Sequence, residues 1–251
     1  MSNSRVIWLS PTDAPDAFPD VELALREPNG LLAAGGDLGS PRLLAAYRSG
    51  IFPWYEKGQP ILWWSPDPRC VLRPEELHMS RRLAKQIRNS SLTVRFNSAF
   101  AAVIRACAGP RRYQSGTWIT DDMKAAYLAL HDQGWAHSIE IWDAERLIGG
   151  LYGLCIGRVF FGESMFSAEP NASKMALAAL ARQMIDRQMA LIDCQVVSPH
   201  LTTLGATLMP RARFTQVLRD ACNPATPCSD WPSEPVAVTE LLKDQVSASL
   251  H

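Results

Sequence analysis

The 251-residue chain lacks any run of about 18 apolar residues, the length a membrane-spanning helix needs, so no span is expected. Its first apolar stretch, Val6 to Leu9, is too short for the core of a secretion signal. None of its six cysteines (Cys70, Cys107, Cys155, Cys194, Cys222, Cys228) forms a C-x-x-C pair. Neither a zinc site nor a disulfide framework is therefore expected, and a reducing cytoplasm fits best. The five histidines, His78, His131, His137, His200 and His251, show no metal-ligand spacing. Gly149-Gly150-Leu151-Tyr152-Gly153 lies in strand-like sequence and lacks the spacing and following helix of a dinucleotide fingerprint. Net charge is absent too, with 25 basic and 25 acidic residues. What remains, 47% apolar and 20% charged residues, is enough for a globular core.

The zero total hides an uneven distribution. Residues 69–112 hold ten Lys/Arg, namely Arg69, Arg73, Arg81, Arg82, Lys85, Arg88, Arg95, Arg105, Arg111 and Arg112, against Glu75 and Glu76 alone. A local positive patch on a neutral chain fits a polyanion engaged at one face, although a solvated helix face explains it equally well. The spacing predicts a basic helix from Ser80 to Ser90 with Arg81, Lys85 and Arg88 along one side.

Residues 1–68 are rich in Pro, Gly and Trp and read as a small lobe that ends at the linker Pro66-Asp67-Pro68. A short helix is expected from Pro41 to Ser49, with Ser40 as N-cap and Gly50 as its stop. Residues 69–222 carry helical patterns at 100–107, 121–134, 173–187 and 214–221. Strands are expected at His137–Trp142, Leu147–Ile156, Val159–Ser167 and Leu191–Val197, with Gly157-Arg158 as a hairpin turn. The order strand, strand, helix, strand suggests a mixed α/β (α+β) layered domain. Residues 223–251, with four prolines and little pattern, read as a peripheral tail.

The candidate chemistry lies between Phe160 and Gln195. Asp193 and Gln195, two apart on one strand, point to one side, and Val159, Phe161, Glu163 and Met165 share a face of theirs. If those strands are neighbours, Glu163, Asp193 and Gln195 converge beside Met165 and Phe161. That makes a pocket with an acidic end and an apolar end. A buried carboxylate is costly unless something answers it, and a cationic substrate would. The competing reading makes Asp193 a structural acceptor and Gln195 a strand cap. The aromatics Tyr47, Trp54, Trp63 and Trp64 fit either core packing or nucleobase stacking.

Several ordered blocks carry a resemblance. These are Pro28-Asn29-Gly30-Leu31-Leu32-Ala33-Ala34-Gly35-Gly36-Asp37-Leu38, Gly50-Ile51-Phe52-Pro53-Trp54-Tyr55, Trp63-Trp64-Ser65-Pro66-Asp67-Pro68-Arg69 and Gly116-Thr117-Trp118-Ile119-Thr120. Ala136-His137-Ser138-Ile139-Glu140, Gly149-Gly150-Leu151-Tyr152-Gly153, Gly162-Glu163-Ser164-Met165-Phe166-Ser167 and Leu191-Ile192-Asp193-Cys194-Gln195 continue it. Together, over residues 5 to 218, the chain resembles the leucyl/phenylalanyl-tRNA–protein transferases. The resemblance implies a small N-terminal lobe and a larger acetyltransferase-like (GNAT-like) domain. It implies transfer of Leu, Phe or Met from aminoacyl-tRNA to the N-terminal Arg or Lys of a protein, which marks that protein for degradation. By position, Asp193 and Gln195 match the catalytic pair and Glu163 the acidic residue of the substrate site. Tyr47, Trp54 and Trp118 match residues lining the aminoacyl-adenosine site. Met165, Ile192 and Ser198 fall in the substrate site, Ser198 where Asn is frequent, and Leu180 and Met184 stand where Phe is common.

The reaction so implied needs no cofactor or metal, because an aminoacyl ester is already activated. Asp193 is expected to hold the acceptor's amine or guanidinium and Gln195 to orient the nucleophile, a proton relay through the pair being the alternative. Arg81, Arg82, Lys85 and Arg88 are the expected tRNA contacts. Neither DNA nor a membrane is expected as a partner. Two other readings compete. An acyl-CoA N-acyltransferase would need a glycine-rich pyrophosphate loop, which Ser167–Ser173 is not. A non-catalytic RNA-binding module would have no use for Glu163, Asp193 and Gln195.

Overall fold

The structure is a computed structural model and describes residues 6–109, 119–223 and 226–250. In chain order the elements begin with β1 (Ile7–Leu9), β2 (Leu31–Gly35), α1 (Ser40–Arg48), β3 (Phe52–Pro53) and β4 (Leu62–Trp64). Then come β5 (Arg69–Leu72), α2 (Arg81–Arg88), β6 (Thr93–Phe96), α3 (Phe100–Cys107), α4 (Asp121–Asp132), β7 (Ala136–Asp143), β8 (Arg146–Ile156) and β9 (Val159–Ser167). The chain closes with α5 (Ala172–Asp186), β10 (Leu191–Gln195), α6 (Pro199–Thr203), β11 (Thr207–Met209), α7 (Arg211–Ala221), β12 (Val236–Ala237), α8 (Val238–Leu241) and α9 (Lys243–Leu250).

These build a mixed α/β architecture with two sheets. The first has the order β1-β2-β4-β3 and the second β11-β5-β10-β9-β8-β7-β6-β12. The large sheet is antiparallel throughout except where β10 runs parallel to β9. Both of its faces are covered, which explains why β7 and β8 are buried almost end to end. On one face α1, α3, α4, α7 and the first sheet pack through Tyr47, Trp63, Phe100, Tyr127, Phe161 and Phe214. On the other, α2, α5, α8 and α9 pack through Leu83, Leu177, Leu180, Met184, Ile192 and Leu242. The alternation expected of β7 holds. Ile139 and Ile141 enter the α5-side core, while Ser138 and Glu140 turn to the residues that open α3.

Four expectations are corrected. Ser40 is the first helical residue rather than the cap; Gly39 takes that place, its N–H held by Asp37 Oδ1 at 2.7 Å. The segment expected as a peripheral tail over 223–251 is docked where the structure describes it, over residues 226–250. β12 pairs with β6, Val238 and Leu242 are fully buried, and the ring of Trp231 lies against His137 and Phe96. The scattered cysteines hid a cross-link, for Cys155 and Cys228, 73 residues apart, form a disulfide with Cα atoms at 5.6 Å. Finally, β10 ends at Gln195 rather than Val197. Gln195 has φ of +61° and the Val196 N–H bonds the Cys194 carbonyl at 2.7 Å, a γ-turn that takes the chain out of the sheet.

Candidate functional site

The site is where two parallel strands part company. β9 and β10 pair through Leu191↔Val159, Ile192↔Phe160 and Asp193↔Phe161, and no further. Beyond that point each chain is diverted by a local irregularity. On β9 the register with β8 runs Gly153↔Gly162 and then Tyr152↔Ser164, so Glu163 sits in a β-bulge. The bulge leans on Gly153, where an added Cβ would lie 2.1 Å from the Phe161 carbonyl oxygen. On β10 the γ-turn at Gln195 does the diverting. A cleft of about 220 Å³ opens between them.

Its acidic end is a connected network. Glu163 Oε1 accepts from the Tyr47 hydroxyl at 2.6 Å and from Gln195 Nε2 at 2.8 Å, and Oε2 accepts from the Tyr127 hydroxyl at 2.8 Å. The two tyrosine hydroxyls lie 2.5 Å apart. Burial pushes the Glu163 carboxyl up to about 7, against the pull of its three hydrogen-bond donors, Tyr47 and Tyr127 first, and nearby Asp193 adds to the rise. Burial and the Glu163 charge raise both tyrosines well above their ordinary value, so they remain donors. Gln195 joins the halves, since its backbone N–H bonds Asp193 Oδ1 at 2.9 Å. Asp193 is itself gripped by Arg69, Nε to Oδ1 at 2.8 Å and an Nη2 bond to Oδ2 at 2.7 Å.

The apolar end is lined by Leu151, Phe160, Met165, Leu177, Leu180 and Ile192, with Cys194, Ser198, His200 and Leu201 at the β10–α6 side. Glu163, Asp193, Gln195, Met165, Leu180, Ile192 and Ser198 therefore meet at one cleft. Met184 is fully buried in the core beside Leu180 and does not line the cleft. Phe161 and Met165 do not share a face. The bulge between them sends Phe161 against Tyr47, at 5.3 Å between rings, and Met165 to the α5 side. Tyr47 is buried under the site and meets it through its hydroxyl. Trp54 is 44% exposed and lies against Trp64 with ring centroids 5.6 Å apart. Trp118 lies outside the described residues. Arg81, Arg82, Lys85 and Arg88 all stand exposed on α2, whose Leu83, Ala84 and Ile87 face inward.

Two members of the network were not anticipated. Arg69 was counted into the positive patch, whereas it is 1% exposed and faces the fully buried Asp193. The Asp193 carboxylate is therefore already paired, which overturns the expectation that it holds the acceptor's cation. A signal did exist, because an arginine inside the strand sequence Arg69-Cys70-Val71-Leu72 demands a buried anion. Tyr127 had no such signal; it lies 36 residues from Glu163 on a helix with an unremarkable pattern.

Two family models match the chain. The one described as leucyl/phenylalanyl-tRNA protein transferase matches residues 71–219, and that of the same enzyme's N-terminal domain matches residues 36–67. A leucyl/phenylalanyl-tRNA–protein transferase of Pseudomonas aeruginosa is 58% identical over 212 residues, 84% of this chain and 93% of that protein. Its counterpart from Stutzerimonas stutzeri is 56% identical over 211 residues, 84% of this chain and 92% of that one. Among solved structures, a spermidine N-acetyltransferase chimera from Vibrio cholerae overlaps 39% of this chain and 61% of its own at 18% identity, with a TM-score of 0.23.

Proposed function

The chain belongs to the leucyl/phenylalanyl-tRNA–protein transferase family, and from that premise we propose how its cleft performs aminoacyl transfer. It is an aminoacyltransferase that moves an amino acid from aminoacyl-tRNA to a protein N-terminus. The donors are leucyl-, phenylalanyl- and methionyl-tRNA, and the acceptors are proteins that begin with Arg or Lys, which the added residue marks for degradation in the cytoplasm. The single observation that carries this reading is the cleft itself, with an acidic corner at one end and apolar walls at the other.

The apolar end takes the side chain of the transferred residue. Such walls discriminate by only about 1–3 kcal/mol per methylene, so accepting Leu, Phe and Met together is natural. Leu180 and Met165 wall the pocket, and Met184 backs Leu180 from the core. The acidic end takes the acceptor. A carboxylate has about four lone-pair positions, and Glu163 spends three on Tyr47, Tyr127 and Gln195. The fourth, on Oε2, faces the incoming α-ammonium. Gln195 spends its amide N–H on Glu163 and keeps its side-chain carbonyl for an N–H of the same amine.

An α-amino group near its ordinary value of about 8 is roughly a tenth neutral at pH 7, and a carboxylate near 7 suffices to take its proton. The neutral nitrogen then attacks the ester carbonyl. The C–N bond forms, the C–O bond to the terminal ribose breaks, and the ribose oxygen leaves as a hydroxyl with the proton. Alignment of amine and ester supplies the larger share of the acceleration, about 7–11 kcal/mol at best. Trp54 and Trp118 hold the terminal adenosine, and Arg81, Arg82, Lys85 and Arg88 hold phosphates.

Transfer of labelled leucine from charged tRNA to an Arg-starting peptide tests the whole reading; no transfer ends it. With four phosphate contacts, log affinity for tRNA falls with log salt at a slope of about −3, and a flat response removes α2 from the interface. Neither the acyl-CoA reading nor the non-catalytic one has an observation in its favour. The Ser167–Ser173 loop carries Glu169, paired with Arg146 at 2.8 Å, where a pyrophosphate would need an open nest of N–H groups.

A further inference from the structure

We propose that Arg69 is a positioning residue for this reaction: it clamps Asp193, so that Asp193 holds the turn that aims Gln195 at Glu163. The proposal rests on the reading of the cleft given above.

Arg69 is anchored on every side. Its guanidinium takes both Asp193 oxygens at 2.8 and 2.7 Å, and its Nη1 donates to the Gly50 carbonyl at 3.1 Å. Its carbon centre lies 4.7 Å from the ring of Phe52 and 4.7 Å from that of Phe214. It thus joins β5 to the α1–β3 turn, to β3 and to α7. A buried ion pair can be mere scaffolding. What argues otherwise is the next bond, from the Gln195 N–H to the same Oδ1 that Arg69 Nε holds. That bond stabilises φ of +61° at a non-glycine residue, a conformation that needs outside support. The turn in turn carries Nε2 to within 2.8 Å of Glu163. The order of command runs Arg69, Asp193, Gln195 backbone, Gln195 side chain, Glu163, and Arg69 itself does not line the cleft.

A lysine keeps the charge but cannot match the two-pronged grip. Arg69→Lys, Asp193→Asn and the double variant are compared at saturating leucyl-tRNA and Arg-starting peptide. The proposal expects Arg69→Lys to lose about 10²-fold in kcat, the cost of a small misplacement, with KM for aminoacyl-tRNA within about threefold of wild type. It also expects the double variant to be no slower than the slower single one, because both act on one turn. A folded Arg69→Lys enzyme with wild-type kcat overturns the proposal, and so does a double loss equal to the product of the single losses. If Arg69→Lys does not fold, Asp193→Asn is compared with the uncharged pair Arg69→Met/Asp193→Asn. Equal kcat supports the proposal and a further tenfold drop overturns it. Wild-type enzyme that transfers no leucine would instead sink the functional reading, a result separate from all of these.

Discussion

Glu140 and Glu163 are buried carboxylates on β7 and β9 of one sheet, and their surroundings differ in one respect. Glu140 is fully buried and accepts from the Ser98 hydroxyl, the Ala99 N–H at 2.8 Å, the Ser138 hydroxyl at 2.7 Å and Trp142 Nε1 at 3.1 Å. Four donors fill four acceptor positions, and Glu140 is not among the residues that line the cleft. Glu163 has three donors, one acceptor position without one, and a place in the lining of the cleft. Both sit in sequence that looks equally apolar. A buried acid is thus no marker of a site by itself; an unfilled acceptor facing a cavity is. Asp193 lies between the two cases: like Glu163 it has three donors and lines the cleft, but two of those donors belong to a cation that already answers its charge.

The largest expected effect separates Asp193 from Glu140. Asp193→Ala leaves Arg69 charged and unpaired in the core and should cost about 3–5 kcal/mol in chemical denaturation. Glu140→Gln disturbs neutral donors only and should cost about 1–3 kcal/mol. Equal losses would erase the distinction between the two corners.

Glu163 should behave differently from both with pH. Its carboxyl lies near 7 in the folded protein against an ordinary 4.5, so the native state binds this proton more tightly than the unfolded chain does. The associated stability is fully present below about 4.5, declines as pH rises toward 7 and is gone above it, a span of about 3 kcal/mol. Glu163→Gln should remove that decline from a series of denaturation curves at pH 4 to 8. An unchanged slope would mean that Glu163 titrates normally. Over the same range wild-type transfer should rise as the carboxylate forms.

Activity sharpens the comparison further. Glu163→Gln should lower kcat/KM for the acceptor peptide about 10- to 100-fold, the worth of a charge-assisted hydrogen bond. Glu140→Gln should leave it within about twofold, as expected for a residue without substrate contact. The smallest effect belongs to the apolar end. Leu180→Ala should shift preference between leucyl- and phenylalanyl-tRNA by about 10-fold, measured as a ratio of kcat/KM values. No shift would place the transferred side chain elsewhere.

Much of this was readable along the chain. Period-2 alternation sets Ile139 and Ile141 on one side of their strand and the helical period sets Leu177, Leu180 and Met184 on one side of theirs, and both sides turn out to be core. The basic face of α2 follows from spacing alone. The convergence of Glu163, Asp193 and Gln195 was also legible, although for an incomplete reason. Strict alternation predicts Phe161 and Met165 on one side, and the bulge at Glu163 separates them. A bulge adds one residue without leaving a periodic trace, so pattern reasoning runs straight through it. The C-terminal segment failed for the opposite cause. Its Val238, Leu242 and Val246 repeat every four residues, a helical trace that the surrounding prolines overshadow, and they become core only against α2 and α5.

The sequence by itself determined strands β7 to β10, helices α1 to α5 and α7, and the family, because each rests on residues close together or on ordered blocks. The tertiary structure alone decided which charges answer each other. Arg69 and Asp193 lie 124 residues apart, and Tyr47 and Glu163 lie 116 apart. Pairing across such distances depends on register and on where strands diverge. Whether a buried acid is sealed, clamped or left open to a substrate is therefore settled by folding, through the donors that happen to arrive.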